Sequence, residues 1–153
     1  MLEIKPLSIC NFEEVVGLYK KMIEKNIGHD ERLRNIDLDD RSLRNMLQYS
    51  FDIEDVLFFV AYSHNVPIGF IDSTRVSQDA LGDEWYIKSV YLQGEFKATN
   101  YFQQLVMRVE KEVRQKSIHV IYSTALLDDD EANELWESVG YVLEKKRRVK
   151  VLS

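Results

Sequence analysis

Apolar positions along this chain recur in two rhythms, and the places where one gives way to the other mark its elements. Leu2 to Leu7 opens with Ile4 between Glu3 and Lys5, the period-two signature of a strand. Asn11 stands where a helix N-cap belongs, with Glu14 three residues on to answer it. Phe12, Val15, Val16, Tyr19, Met22 and Ile23 then fall on one helical stripe. Asn26 to Asp39 is polar and charged and reads as a loop. A second helix runs from about Asp40 to Phe51, with Leu43, Met46, Leu47 and Phe51 as its apolar face.

The rhythm then returns to strands. Val56 to Tyr62 is nearly all apolar, which suits a central strand. Ser63, His64 and Asn65 supply a turn, and Val66 to Thr74 returns. Glu84 to Leu92 is a further strand. A long helix from about Asn100 to Lys116 carries Tyr101, Leu105, Val106, Val109 and Val113 on one side. The strand His119 to Ala125 follows. Asp128, Asp129 and Asp130 open a short helix whose apolar face is Ala132, Leu135, Trp136 and Val139, and Gly140 sits where a left-handed residue ends a helix. Tyr141 to Glu144 and Arg147 to Leu152 read as two closing strands. The expected fold is mixed α/β (α+β), order β-α-α-β-β-β-α-β-α-β-β, with helices on both faces of a mixed sheet. Residues 1–153 are expected to form a single domain.

Composition narrows the function classes. A formal net charge of -6 argues against a general nucleic-acid binder. No apolar run reaches membrane-spanning length, and MLEIKPLS does not look like a secretion signal, so no membrane partner is expected. Cys10 is the single cysteine. No intrachain disulfide can form, which fits a cytoplasmic location, and a buried or half-buried core position is expected for it. His29, His64 and His119 share no ligand spacing, so no metal is expected. The run Lys145, Lys146, Arg147, Arg148 and Lys150 reads as the solvated face of a hairpin.

Four segments together resemble the GNAT superfamily, the GCN5-related N-acetyltransferases. They are the hairpin PIGFI (Pro67 to Ile71, with Gly69), the strand–loop–helix VYLQGEFKATNYFQQLV (Val90 to Val106), the helix DDEANELWESVGY (Asp129 to Tyr141), and the closing hairpin. The resemblance implies a GNAT-type sheet that splays between its fourth and fifth strands. It also implies acetyl-CoA as co-substrate and direct transfer of the acetyl group to an amine, carried by a small molecule or a peptide. Backbone donors at Val90, Tyr91 and Leu92 would face the thioester. The pyrophosphate would sit on the helix start, at Lys97, Ala98, Thr99, Asn100 and Phe102.

The chain departs from the family pattern at named places. Asn100 and Phe102 stand where the family has glycines, and Lys97 supplies the leading positive charge. Asn100 tolerates unusual backbone angles, whereas Phe102 either obstructs the phosphates or packs beneath the helix. Tyr86 takes the position of the family's glutamate base, and Glu84, one strand pitch earlier, is the candidate base acting through water. Trp136 replaces the tyrosine that protonates the leaving thiolate, and an indole is no titrating acid near neutral pH, so Trp136 either walls the pantetheine channel or packs as core with Ala132, Leu135 and Val139. Asp129, in place of an asparagine, either accepts a hydrogen bond from pantetheine or caps its helix. Two other readings stay open: a non-catalytic GNAT-fold binding or regulatory module, and a homodimer pairing through the late strands. The acceptor cannot be read, although Asp30, Glu31, Asp37, Asp39 and Asp40 of the early loop would border it.

Overall fold

The computed structural model describes residues 1–26, 39–48, 55–78, 80, 82–125, 129–145, 148, 150 and 152. Five strands, β1 (Leu2–Pro6), β2 (Val56–Ser63), β3 (Val66–Gln78), β4 (Gly82–Leu92) and β5 (Ile121–Ser123), lie in the order β1-β2-β3-β4-β5. The first four pair antiparallel, while β4 and β5 pair parallel. The helices are α1 (Phe12–Asn26), α2 (Asp40–Gln48), α3 (Tyr101–Gln115) and α4 (Asp130–Ser138).

Two apolar layers flank the sheet because β2 is apolar at every second position on both faces. Phe58, Val60 and Tyr62 pack with Phe70 against α1 and α2. Phe59 and Ala61 join Ile71, Trp85, Ile87 and the Leu105, Val106 and Val109 face of α3. Each such fully buried side chain contributes roughly 1.5–3 kcal/mol. His64 and Asn65 both have positive φ, 50° and 64°, the two-residue turn whose twist matches a hairpin. At the end of α4, Gly140 (φ 92°) donates to Glu137 O and Tyr141 to Trp136 O, the paired bonds of a Schellman cap.

Several expectations need correction. Asn11 does not build a capping box. Its Oδ1 accepts from Ser8 N at 2.8 Å and its Nδ2 donates to Pro6 O at 3.1 Å, while Glu14 accepts instead from the Tyr62 hydroxyl. The buried asparagine thus satisfies the turn before α1 rather than the helix end. Cys10 lies in that turn and is exposed, not in the core. Met46 is half exposed, so the apolar face of α2 rests on Leu43 and Leu47. The expected strand at 119–125 shrinks to Ile121–Ser123, because only three positions face β4 before β4 turns away. His119 therefore precedes the strand. Tyr141 to Glu144 carries no strand. The second closing strand, His29, Phe51 and most of the acidic loop lie largely or wholly outside the described residues, while Asp39 accepts from Ser42 N and starts α2.

Candidate active site

The sheet opens where the sequence reading places its splay. β4 pairs with β5 only at Trp85, Tyr86 and Ile87, and Lys88 to Leu92 continue without β5 beside them. The cause is visible on the other edge of β4. The register runs Ser73↔Ile87 and then Asp72↔Ser89, so Lys88 is an extra residue, a β-bulge that bends the strand.

The bulge also resets which backbone groups face the gap. Trp85 N–H donates to Val120 O, on the β5 side, whereas Gln93 N–H donates to Ile68 O, on the β3 side. Backbone donors alternate along a strand. Counting back from Gln93, the N–H groups of Leu92 and Val90 point into the gap, and that of Tyr91 points to β3. The side chain of Tyr91 packs near Phe70 on the α1 face. Gly69 permits the approach of β3 to this stretch, since a Cβ there would lie 2.1 Å from Tyr91 O.

A cleft of about 1520 Å3 runs through the gap, lined by Met22 and Lys25 of α1, by β4 and β5, and by α4. At one end stands the start of α3. Asn100 has φ -81° and ψ 15° and makes no side-chain cap. Those angles need no glycine, so the tolerance expected of asparagine is not called upon. Its Oδ1 accepts instead from Gln104 Nε2 at 2.9 Å, leaving the first-turn donors of α3 without a side-chain cap from it. Thr99 Oγ1 takes the Tyr101 N–H, and Ala98 is exposed.

Phe102 packs into the core cluster at this helix start. It is buried and meets Trp136 edge-on, with ring centroids 5.1 Å apart, and Trp136 in turn packs on Tyr141 at 4.9 Å. Lys97 pairs with Glu131 Oε1 at 3.1 Å. Partial burial works against the Lys97 charge, but hydrogen bonds with Lys25 and Glu131 outweigh it and its pKa is raised. Burial, then Lys97 itself, lowers that of Lys25. Two lysines therefore share the cleft beside the α3 start, a good setting for an anion. Asp129 caps α4, accepting from Ala132 N at 3.1 Å.

Tyr86 stacks on Tyr122 at 4.8 Å and its hydroxyl lies 3.1 Å from Thr124 Oγ1. Glu84 is six residues before Val90, roughly 20 Å along the strand. Neither lines the cleft. The carboxylate that the fold does bring to the bulge is Asp72, opposite Ser89 and buried, which the sequence reading missed. A lone aspartate within an otherwise apolar strand segment, GFID, was its available signal.

Residues 27–141 match the model of the acetyltransferase (GNAT) family. The chain belongs to that family. No curated protein matches it significantly. Among solved structures, it is similar to the aminoglycoside antibiotic 6'-N-acetyltransferase AAC(6')-Ih from Acinetobacter baumannii, with 18% identity, TM-score 0.78, and coverage of 100% of this chain and 98% of that one. It is also similar to aminoglycoside N-acetyltransferase AAC(6')-Iy in complex with CoA, with 16% identity, TM-score 0.79, and coverage of 100% and 94%. A transcriptional regulator from Bacillus halodurans C-125 shares the fold as well, at 14% identity and TM-score 0.78, with 99% and 100% covered. At these identities the likeness is one of fold. No helix among the described residues is long and apolar enough to cross a membrane.

Proposed function

We propose that the protein transfers an acetyl group from acetyl-CoA directly to an amine. The carrying observation is the pair of backbone donors, Val90 and Leu92 N–H, turned into the gap beyond β5. Such fixed donors stabilise charge building on a thioester oxygen without needing any particular side chain. The departures at Asn100 and Phe102 fit this reading, since one adopts ordinary angles and the other packs inward. Lys97 and Lys25 would face the pyrophosphate together with the α3 start.

In the step itself the amine lone pair attacks the thioester carbon and the C–S bond breaks. The nitrogen loses one proton as the amide forms, and the CoA thiolate gains one. With Trp136 in place of a phenol, that proton comes through the water of the open cleft. Positioning supplies the rest of the rate. The likeness to aminoglycoside acetyltransferases makes a small cationic amine the first acceptor class to test.

The test is a thiol-release assay with acetyl-CoA across a panel of primary amines, beside the melting temperature with and without acetyl-CoA. Ligand at a hundredfold its dissociation constant stabilises by roughly 2.7 kcal/mol. No thermal shift at millimolar acetyl-CoA ends the proposal. A shift with no turnover on any amine supports instead a binding module that keeps the scaffold.

A further inference from the structure

At Asp72, directly behind the cleft-lining Lys88 and Ser89, burial and charge conflict. Its side chain is 4% exposed. Its Oδ2 lies 3.4 Å from Lys88 Nζ, and its Oδ1 is buried with no hydrogen-bond partner. A buried carboxylate needs partners for both oxygens, because desolvating an unpaired charge is strongly unfavourable. This one has a single, longish ion pair, and the partner sits on a bulge with its side chain 43% exposed. Lys88 reaches in from solvent on a flexible stem.

The surroundings suit a small ammonium group. Asp72 stands opposite Ser89 and one register position from Val90, whose N–H faces the gap. Tyr19 of α1 covers the spot, stacked on Phe70 at 5.4 Å. Its pKa is pushed up to about 12, by burial first and then by Asp72, while a hydrogen bond with Ser89 works the other way. The hydroxyl therefore stays neutral beside the carboxylate. An alkylammonium offers three donors. These match Asp72 Oδ1, Asp72 Oδ2 and the Ser89–Tyr19 hydroxyl pair.

We propose that Asp72 is the subsite that captures the ammonium group of a primary alkylamine acceptor, that Lys88 Nζ holds that subsite until the acceptor displaces it, and that the captured ammonium gives up one proton to the water of the open cleft, which frees the lone pair that attacks the thioester. This rests on the acetyltransferase reading for its purpose, but the subsite is testable without acetyl-CoA. The probe is n-butylammonium chloride on the full chain, compared with equal sodium chloride and with tetramethylammonium chloride, which lacks N–H donors. Lys88→Met lowers the melting temperature by stranding the carboxylate. Butylammonium at tenfold its dissociation constant restores about 4 °C, and the two control salts do not. Asp72→Asn abolishes the butylammonium effect. In turnover with acetyl-CoA, Asp72→Asn raises the KM for butylamine tenfold or more, and Lys88→Met lowers it severalfold. The KM for aniline, neutral at pH 7, and for acetyl-CoA change less than twofold. Equal rescue of Lys88→Met by all three salts, or by none, overturns the subsite whatever the turnover assay gives. So does an Asp72→Asn variant that loses butylamine and aniline alike. Absence of turnover together with selective rescue overturns the transferase reading alone.

Discussion

Phe102 and Trp136 meet edge to face, ring planes at 76° and centroids 5.1 Å apart, and so lock the first turn of α3 to α4. Phe102 packs in the core cluster, and its removal is expected to leave a void rather than a doorway. Phe102→Gly is expected to cost about 3–5 kcal/mol for the lost ring, with roughly 1 kcal/mol more for glycine in a helix. CoA affinity should not improve. Calorimetric CoA binding beside thermal melts checks both, and a tighter CoA complex in Phe102→Gly contradicts this account of the residue.

A double-mutant cycle isolates the pair. Phe102→Leu and Trp136→Leu should couple by roughly 0.5–1.5 kcal/mol, the worth of an aromatic contact beyond its buried area. Denaturant midpoints of the two single variants and the double measure it. Strict additivity would mean that the two rings contribute only separately.

Gly69→Ala places a methyl group 2.1 Å from Tyr91 O, where backbone, not a flexible side chain, must yield. The β3–β4 pairing beside Val90 and Leu92 should be forced apart, at a cost of about 1–3 kcal/mol. If those donors serve the thioester, turnover per folded molecule falls as well. Amide exchange at Val90 and Leu92 reads the displacement independently of activity.

Asp72 gives a pH signature. Burial raises its pKa above the ordinary carboxylate value, and Lys88 only partly offsets this. The folded chain therefore holds this proton more tightly than the unfolded one. Its contribution to stability is full below about pH 3.9, where an unfolded aspartate is protonated, and is lost as pH rises through the raised folded value. Relative to the parent, Asp72→Asn should gain stability at neutral pH, with the gain shrinking as pH falls through the raised folded value and gone by about pH 3.9. Melting temperatures of both proteins from pH 3 to pH 8 test it. A gap that widens toward acid reverses the sign and refutes the argument.

Lys97 and Glu131 should act with opposite signs on CoA. Lys97→Ala removes a charge beside the α3 start and should weaken CoA roughly tenfold, less so at high salt. Glu131→Gln frees the lysine and should tighten binding. Affinities at two ionic strengths distinguish this from a general loss of structure, which moves both variants the same way.

What the sequence determined by itself is the order of elements and their apolar faces. Helix stripes, strand alternation, the His64–Asn65 turn and the Gly140 cap are local patterns, and local sterics decide them. The position of the splay followed from the family resemblance carried in part by the segment from Val90 to Val106. What only the tertiary structure decided begins at Lys88. Period-two counting puts Val90 and Leu92 on the face of Glu84, Tyr86 and Lys88, but one bulged residue puts Ser89 and Tyr91 there instead. No local pattern announces a bulge, because it arises from how β3 and β4 fit under two packed layers. The same fit buries Asp72 and leaves Cys10 in solvent, turns Asn11 back toward Ser8, and directs Phe102 into the core. Each of these is settled by which groups meet across the fold, and contacts between residues distant in sequence leave no periodic trace along it.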